Sequence, residues 1–463
     1  MPPILVLGAG VCGLASALML ARDGHDVTVL ERDSAPLPDS PADAFDGWER
    51  RGVAQFAQAH FLQPLGRHVL EAELPDVAAA FLAAGAVRTN ALDHMPPSVA
   101  DRTPRPGDDR FATITGRRPT FEHVMARIAE EEPGVTVRRG VAAAGLELRR
   151  LDGRMHVTGV RTDTGETLYA DLLVDAMGRG SRLPRLLAAA GAEPPAEQVE
   201  DSGFIYYTRF FRGPTQPEPR APRLAAIGSF SILTLPGDND TWSVTIYAAA
   251  SDRVLKRLRR PALWNALVRA CPAHAHWLDG EPITDVLPMG GVTDRYREPA
   301  PGATGVAIVG DACACTNPSV GRGMALGLAH AARLRHVVRV HGEDPRAFAD
   351  AWGAATEEEM TPWYRATVAG DRARLAEMQA IRAGRVPDPP ADPASMLRAA
   401  LVPAMARDAD VFRAGLEIIG CLALPQQVFG RPGLADRVLE LAGTTNGAHS
   451  WGPARRELLD LVA

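Results

Sequence analysis

Lysine is almost missing from this chain: of its 50 Lys and Arg residues only Lys256 is a lysine, which leaves one position for any lysine-based catalysis. Cysteine is scarce too. The five present (Cys12, Cys271, Cys313, Cys315, Cys421) are odd in number and scattered in apolar context, which fits reduced thiols better than a disulfide framework. Cys313 and Cys315 have neither a second pair nor a nearby histidine to complete a zinc set, so no metal is expected. No run of about 18 apolar residues occurs, so no membrane span is expected. The apolar segment Ile4–Leu7 has no basic stretch before it and runs into glycines, so it reads as a strand and not a signal peptide, which gives a cytoplasmic expectation. A formal net charge of -6 argues against a nucleic-acid partner, which calls for a basic patch.

What is present describes an ordinary globular protein, 46% hydrophobic and 23% charged over 463 residues, long enough for two or three packed lobes. Residues 4–32 read strand, glycine turn, helix, strand, a βαβ unit. A Pro-rich loop follows from Ser34 to Trp48, then helical stretches near His60–Leu70 and Asp76–Ala84, and a Pro- and Gly-rich crossing at Met95–Asp109. Thr120–Glu132 has helical periodicity and stops at Pro133-Gly134. Val135–Val137, Gly145–Leu151, Met155–Thr162 and Thr167–Val174 read as strands of a small sheet interrupting the dinucleotide fold. Ser202–Phe211 and Ala225–Ala249, rich in Phe, Tyr, Ile, Val and Thr, predict antiparallel strands of a substrate lobe. Val306–Val309 is a buried-type strand, Gly323–Val340 a helix, and the remainder mostly helical.

The loop Gly8-Ala9-Gly10-Val11-Cys12-Gly13 carries chemistry. Its first glycine permits the tight turn, its second lets backbone approach a pyrophosphate, and its third lets helix pack on strand. Glu31, followed by Arg32, ends the second strand about 20 residues on, where an acid meets a ribose diol. Such a loop serves FAD or NAD equally, so later segments decide. Asp175 to Arg182 places an acid and two glycines between a strand and a helix. Asp311 ends another strand with a carboxylate suited to a ribityl chain. Asn317-Pro318-Ser319-Val320-Gly321-Arg322-Gly323-Met324 then brings backbone amides to a helix N-terminus that suits the flavin N1/C2 region.

These three motifs, in this order, resemble the class A flavoprotein monooxygenases of the para-hydroxybenzoate hydroxylase fold over residues 1–345. The nearer resemblance is to a branch with actinobacterial polyketide-type hydroxylases and epoxidases, through the segment Asp175–Arg182 and the stretch Arg50-Arg51-Gly52-Val53-Ala54-Gln55. The resemblance implies an α/β fold: a Rossmann-type FAD-binding domain (1–94, 110–200 and 296–345), an inserted antiparallel β-sheet substrate domain (95–109 and 201–295) and a C-terminal helical extension (346–463). It implies non-covalent FAD, with Gly8, Gly10 and Gly13 at the pyrophosphate, Glu31 at the ribose, Arg50 and Arg118 reaching to the cofactor, Val141 at adenine, and Asp175, Asp311, Pro318, Gly321, Gly323 and Met324 completing the cradle. NADPH or NADH would reduce the flavin and O2 would form a C4a-hydroperoxide that hydroxylates or epoxidises a hydrophobic aromatic or polyketide-like molecule. In two places the chain departs from the pattern: the usual Asp-Gly pair is Asp175-Ala176-Met177-Gly178, and a basic-His pair is reduced to Gln58-Ala59-His60.

No catalytic side chain is demanded. His60 is a pocket candidate, although a lone histidine in partly apolar surroundings is more often structural. Phe204, Tyr206 and Phe210 share one strand face, which would wall a substrate cavity or simply cover a core. A halogenase would need a lysine ahead of a Trp-x-Trp-x-Ile-Pro motif, and neither is present. Two other readings stay open: a flavin reductase or dehydrogenase without oxygen insertion, and a non-catalytic flavin-binding member of a tailoring complex.

Overall fold

In the computed structural model, which describes residues 3–299, 302–443 and 451–463, the four apolar residues Ile4–Leu7 form the middle of a five-stranded parallel sheet. The strand order is Val306–Ile308, Leu172–Asp175, Ile4–Leu7, Val27–Glu31, Val135–Arg139. A parallel sheet must be covered on both faces, and the side-chain alternation of the first strand shows how. Ile4 and Val6 pack against the helices Val11–Ala21, Arg118–Glu131 and Gly323–His341. Leu5 and Leu7 pack against a four-stranded sheet built around Ala143–Leu151 and Arg154–Thr162. The run Thr167–Val174, expected as one strand, is two: Thr167–Tyr169 pairs antiparallel with Arg154–Thr162, and Leu172–Asp175 crosses into the parallel sheet. The helix expected from His60 starts at Pro64, where the fixed proline φ presets the first turn, so His60 sits in the loop before it.

The second lobe is a six-stranded antiparallel sheet whose longest pair, Phe204–Arg212 and Thr241–Ala249, is in register over nine residues. Its outer face buries Ile205, Tyr207 and Phe211 against Trp242, Trp264 and Trp277 and against Leu458 and Val462 of the last helix. Its inner face buries Phe204, Tyr206 and Tyr247, with Leu375 and Met378 of the helix Thr361–Arg382 packed on them.

One buried ion pair joins the lobes. Asp238, at the turn between two sheet strands, accepts from the Arg117 backbone NH at 2.6 Å, from Arg117 Nε at 3.0 Å and Nη2 at 2.8 Å, and from Thr120 Oγ1 at 2.8 Å. The segment 95–109, expected with the substrate lobe, packs instead on the C-terminal helices. Met95 and Val99 share a core with Leu401, Met405, Val411 and Phe412, and Arg413 clamps Asp108 at 2.7 Å.

Candidate active site

Leu7, Glu31, Asp175 and Ile308 are the last residues of four neighbouring parallel strands, so the loops that follow them all emerge at one carboxyl edge, the place where open parallel sheets bind ligands. The glycine loop shows the division of labour its spacing predicts. Gly8 has φ +104°, and a Cβ there would lie 2.6 Å from the Ala176 carbonyl oxygen. A Cβ on Gly13 would lie 2.0 Å from the Gly8 carbonyl oxygen. A Cβ on Gly10 meets nothing within 4 Å. Two glycines therefore serve backbone packing, and the third faces open space at the N-terminus of Val11–Ala21, where a pyrophosphate fits.

Glu31 closes this loop from beside. Its Oε2 accepts from the Ala9 NH and from Arg50 Nη2, both at 3.1 Å, and among the described residues its Oε1 accepts only from the Asp33 NH at 3.0 Å, which leaves lone pairs for a ribose hydroxyl. Arg50 also donates to the Ala9 carbonyl at 3.0 Å and lies 3.7 Å from Glu122 and 4.0 Å from Asp33, while its buried Nε and Nη1 make no hydrogen bond among the described residues. Two donors without a hydrogen bond on a buried guanidinium at this edge can still serve a bound polar group, although Glu31, Asp33 and Glu122 already surround the charge. Val141 lies next to the end of the second strand, but its NH donates to the Glu31 carbonyl at 3.0 Å and so is not free for adenine. Arg32 points to solvent beside Gly52.

Arg118 donates from Nε to Glu122 at 2.6 Å and from Nη1 to His60 Nε2 at 3.2 Å. His60 Nδ1 then donates to the Gln58 carbonyl at 2.9 Å, a tautomer fixed because Nε2 must accept. Burial, with Arg118 beside it, pushes the His60 pKa down to about 3, so the ring is neutral.

Asp311 makes no hydrogen bond to protein among the described residues. Burial raises its pKa, and the charges of Arg118 and Arg179 oppose that rise. A Cβ on Gly323 would lie 3.5 Å from its Oδ1, and one on Gly178 4.0 Å from its Cβ. Gly310, just before it, packs on Cys12 of the glycine loop, whose Sγ donates to the Gly327 carbonyl at 3.2 Å. Asp311 and Gly323 thus face the same edge as Gly10 and Glu31. Pro318 opens a short turn, Gly321 adopts φ +64°, and Met324 packs toward the core of the parallel sheet. Asp175 departs from its expected role as a cofactor contact. It is fully buried and accepts from the Met177 NH and Ser181 Oγ, so its carboxylate shapes the turn behind the site, and burial raises its pKa to about 6.

Phe204, Tyr206 and Phe210 all lie on the inner face of the second lobe. Phe210 packs edge-on against Phe45 at 5.3 Å, Tyr206 stacks on Tyr247 at 5.2 Å, and the Tyr206 hydroxyl donates to Asn317 Oδ1 of the loop before the helix Gly323–His341. Phe204 is sealed under Leu375 and Met378.

The C-terminal helices supply residues that sequence reasoning missed. Thr361–Arg382 lies over the 310–323 loop, where Trp363, Tyr364 and Thr367 line a pocket with Gly310, Asp311 and Gly323. Arg322 donates to Thr367 Oγ1 at 3.1 Å with its guanidinium over the Trp363 ring, and Asp371 accepts from Ser319 Oγ at 2.9 Å. Nothing local in a helical sequence marks Asp371 as the partner of a serine 52 residues away.

Residues 1–338 match the family model described as FAD binding domain. Among curated relatives, Protein Rv3254 of Mycobacterium tuberculosis is 28% identical over 400 residues, 79% of each chain. A menaquinone reductase of Mycolicibacterium smegmatis is 26% identical over 70% of this chain and 73% of its own. A kynurenine 3-monooxygenase of Salinispora arenicola is 24% identical over 69% of each. The solved structure of pqsL, a probable FAD-dependent monooxygenase from Pseudomonas aeruginosa, shares the fold with TM-score 0.59 at 18% identity, over 82% of this chain and 99% of that one. With the glycine loop, Glu31, Asp311 and Gly323 gathered at one sheet edge, the chain belongs to the FAD-binding-domain family of the class A FAD-dependent monooxygenases.

Proposed function

We propose that the protein takes electrons from NADPH or NADH and oxygen from O2 to hydroxylate or epoxidise a hydrophobic aromatic or polyketide-like small molecule. The observation that carries this reading is the apposition of the edge bearing Gly10, Glu31, Asp311 and Gly323 with the aromatic inner face of the antiparallel sheet. FAD supplies the redox and oxygen-activating chemistry when bound. The chain's own residues hold and shield. In this reading Gly10, in the turn that Gly8 and Gly13 shape, takes the pyrophosphate with Arg50 beside it, Glu31 takes the ribose, and Asp311 the ribityl chain. Backbone amides at Gly321–Met324 point the dipole of Gly323–His341 at the flavin N1/C2 region. Residues 1–94, 110–200 and 296–345 act as the cofactor domain, 201–295 as the substrate sheet, and the helix Thr361–Arg382 as a cover that keeps water out.

The test is incorporation of labelled oxygen from 18O2 into product, with substrate-stimulated NADPH consumption in the holoenzyme. A panel of polycyclic aromatics and polyenes serves as substrate. The second reading, a reductase without oxygen insertion, is favoured by the similarity to a menaquinone reductase. It requires the opposite result, anaerobic substrate reduction with no label in the product.

A further inference from the structure

Residues 253–260 read Arg-Val-Leu-Lys-Arg-Leu-Arg-Arg, five cations and no acid in a chain whose formal net charge is -6. They follow the sheet strand Thr241–Ala249 and include the short 3-10 helix Leu255–Arg259. Such a helix repeats every three residues, and burial keeps that period: Asp252, Leu255 and Leu258 are inside, the two leucines in the core under the outer sheet face. The other two rows therefore face water. One carries Arg253, Lys256 and Arg259, the other Val254, Arg257 and Arg260, and all six are exposed. None of these cations forms an ion pair among the described residues, and Asp252, the acid beside them, is taken by Arg455 at 2.6 Å.

The basic surface continues onto the C-terminal helices. Arg382 Nη1 donates to Ser251 Oγ at 2.7 Å, so the end of Thr361–Arg382 lies beside these rows and adds exposed Arg382 and Arg385 before the next acid, Asp388. Val254, 37% exposed, and Val386, 86% exposed, each adjoin an exposed arginine in the chain. Charge alone would suit any polyanion. Cations interleaved with exposed valines suit a bilayer surface, where Arg and Lys stems lie over lipid with their heads at the phosphates and the valines enter the apolar layer. The place also suits a molecule dissolved in lipid. Ala249, two residues before Ser251, pairs with Phe204, so the basic surface sits at the end of the sheet whose inner face carries Phe204 and Tyr247.

We propose that residues 253–260, with Arg382 and Arg385, form a docking surface for an anionic membrane, to which the protein binds reversibly. Cosedimentation of the holoenzyme with vesicles of phosphatidylcholine alone, or with about 30% phosphatidylglycerol, tests it. Partitioning is expected to be at least about tenfold stronger on the anionic vesicles and to fall by about the same factor in about 0.5 M NaCl. Arg253→Gln, Lys256→Gln and Arg257→Gln combined are expected to remove most of that preference with melting temperature and flavin content unchanged, since all three side chains are exposed. Val254→Asn combined with Val386→Asn is expected to weaken binding to the anionic vesicles about threefold or more. Equal partitioning on both vesicles, a preference that survives the triple substitution, or undiminished binding by the valine variant overturns the proposal. So does tighter binding of polyglutamate or duplex DNA than of anionic vesicles, which assigns the surface to an acidic protein or a nucleic acid. Because binding is read without turnover, each of these results leaves the monooxygenase reading standing.

Discussion

Arg118 and His60 are joined by a 3.2 Å hydrogen bond in which the guanidinium donates to the imidazole Nε2. A cation donating to a histidine keeps it neutral, since protonation would remove the acceptor and set two positive charges together. With the pKa at about 3, His60 should show no titration between pH 5 and pH 8. Nitrogen-detected NMR of labelled protein checks this: its Nε2 signal should stay at the unprotonated shift throughout, and a midpoint near the ordinary histidine value would contradict the arrangement.

The glycine loop separates folding from cofactor binding. Gly13→Ala puts a methyl 2.0 Å from the Gly8 carbonyl oxygen and should destabilise the protein by about 3 kcal/mol or more. Gly10→Ala meets nothing in the protein. It should fold with little change in melting temperature yet bind FAD at least about tenfold more weakly, because its methyl occupies the pyrophosphate position. Thermal unfolding and FAD fluorescence titration of the two variants should give opposite patterns.

Asp238 is fully buried and accepts from the Arg117 NH, Nε and Nη2, from Thr120 Oγ1 and from Asn239 Nδ2 at 2.6–3.0 Å. Asp238→Ala strands the Arg117 charge between the lobes, with an expected cost of about 3–5 kcal/mol in urea unfolding. A loss below about 1 kcal/mol would mean that water reaches the junction.

Asp371 is 7% exposed, and its folded pKa is raised to about 6, against 3.8 for an ordinary aspartate, chiefly by burial. Between those values the folded state binds more protons than the unfolded state. Stability therefore falls as pH rises, and the cost is complete above pH 6. Asp371→Asn removes the ionisation, so the stability difference should move in the variant's favour by about 1–3 kcal/mol between about pH 4 and pH 7. Denaturant midpoints of both proteins at the two pH values measure it, and a constant difference would count against an ionising Asp371.

The parts of this site readable in the sequence are those whose signal is local. Gly8, Gly10, Gly13 and Glu31 fall within one βαβ unit, and Asp311 follows a strand and precedes glycines, so each has neighbours that explain it. Asp175 has the same local signature but turns inward: a carboxylate at a strand end looks alike in sequence whether it meets a ligand or caps its own turn. The apolar neighbours of His60 suggest a helix there, while Pro64 fixes where that helix starts. The pairs Arg117–Asp238 and Ser319–Asp371 join residues 121 and 52 positions apart, and no periodicity encodes such meetings.

The contact of Cys12 with Gly310 and Gly327 has a consequence for how the protein is made. One wall of the cofactor cradle leaves the ribosome first, and the wall it fits against emerges some 300 residues later, with the helix carrying Asp371 following that. A nascent chain can close its first βαβ unit early, yet that unit lacks its facing wall until Gly310 and Gly327 have been added. The cradle is thereby complete only once two segments some 300 residues apart in sequence have met.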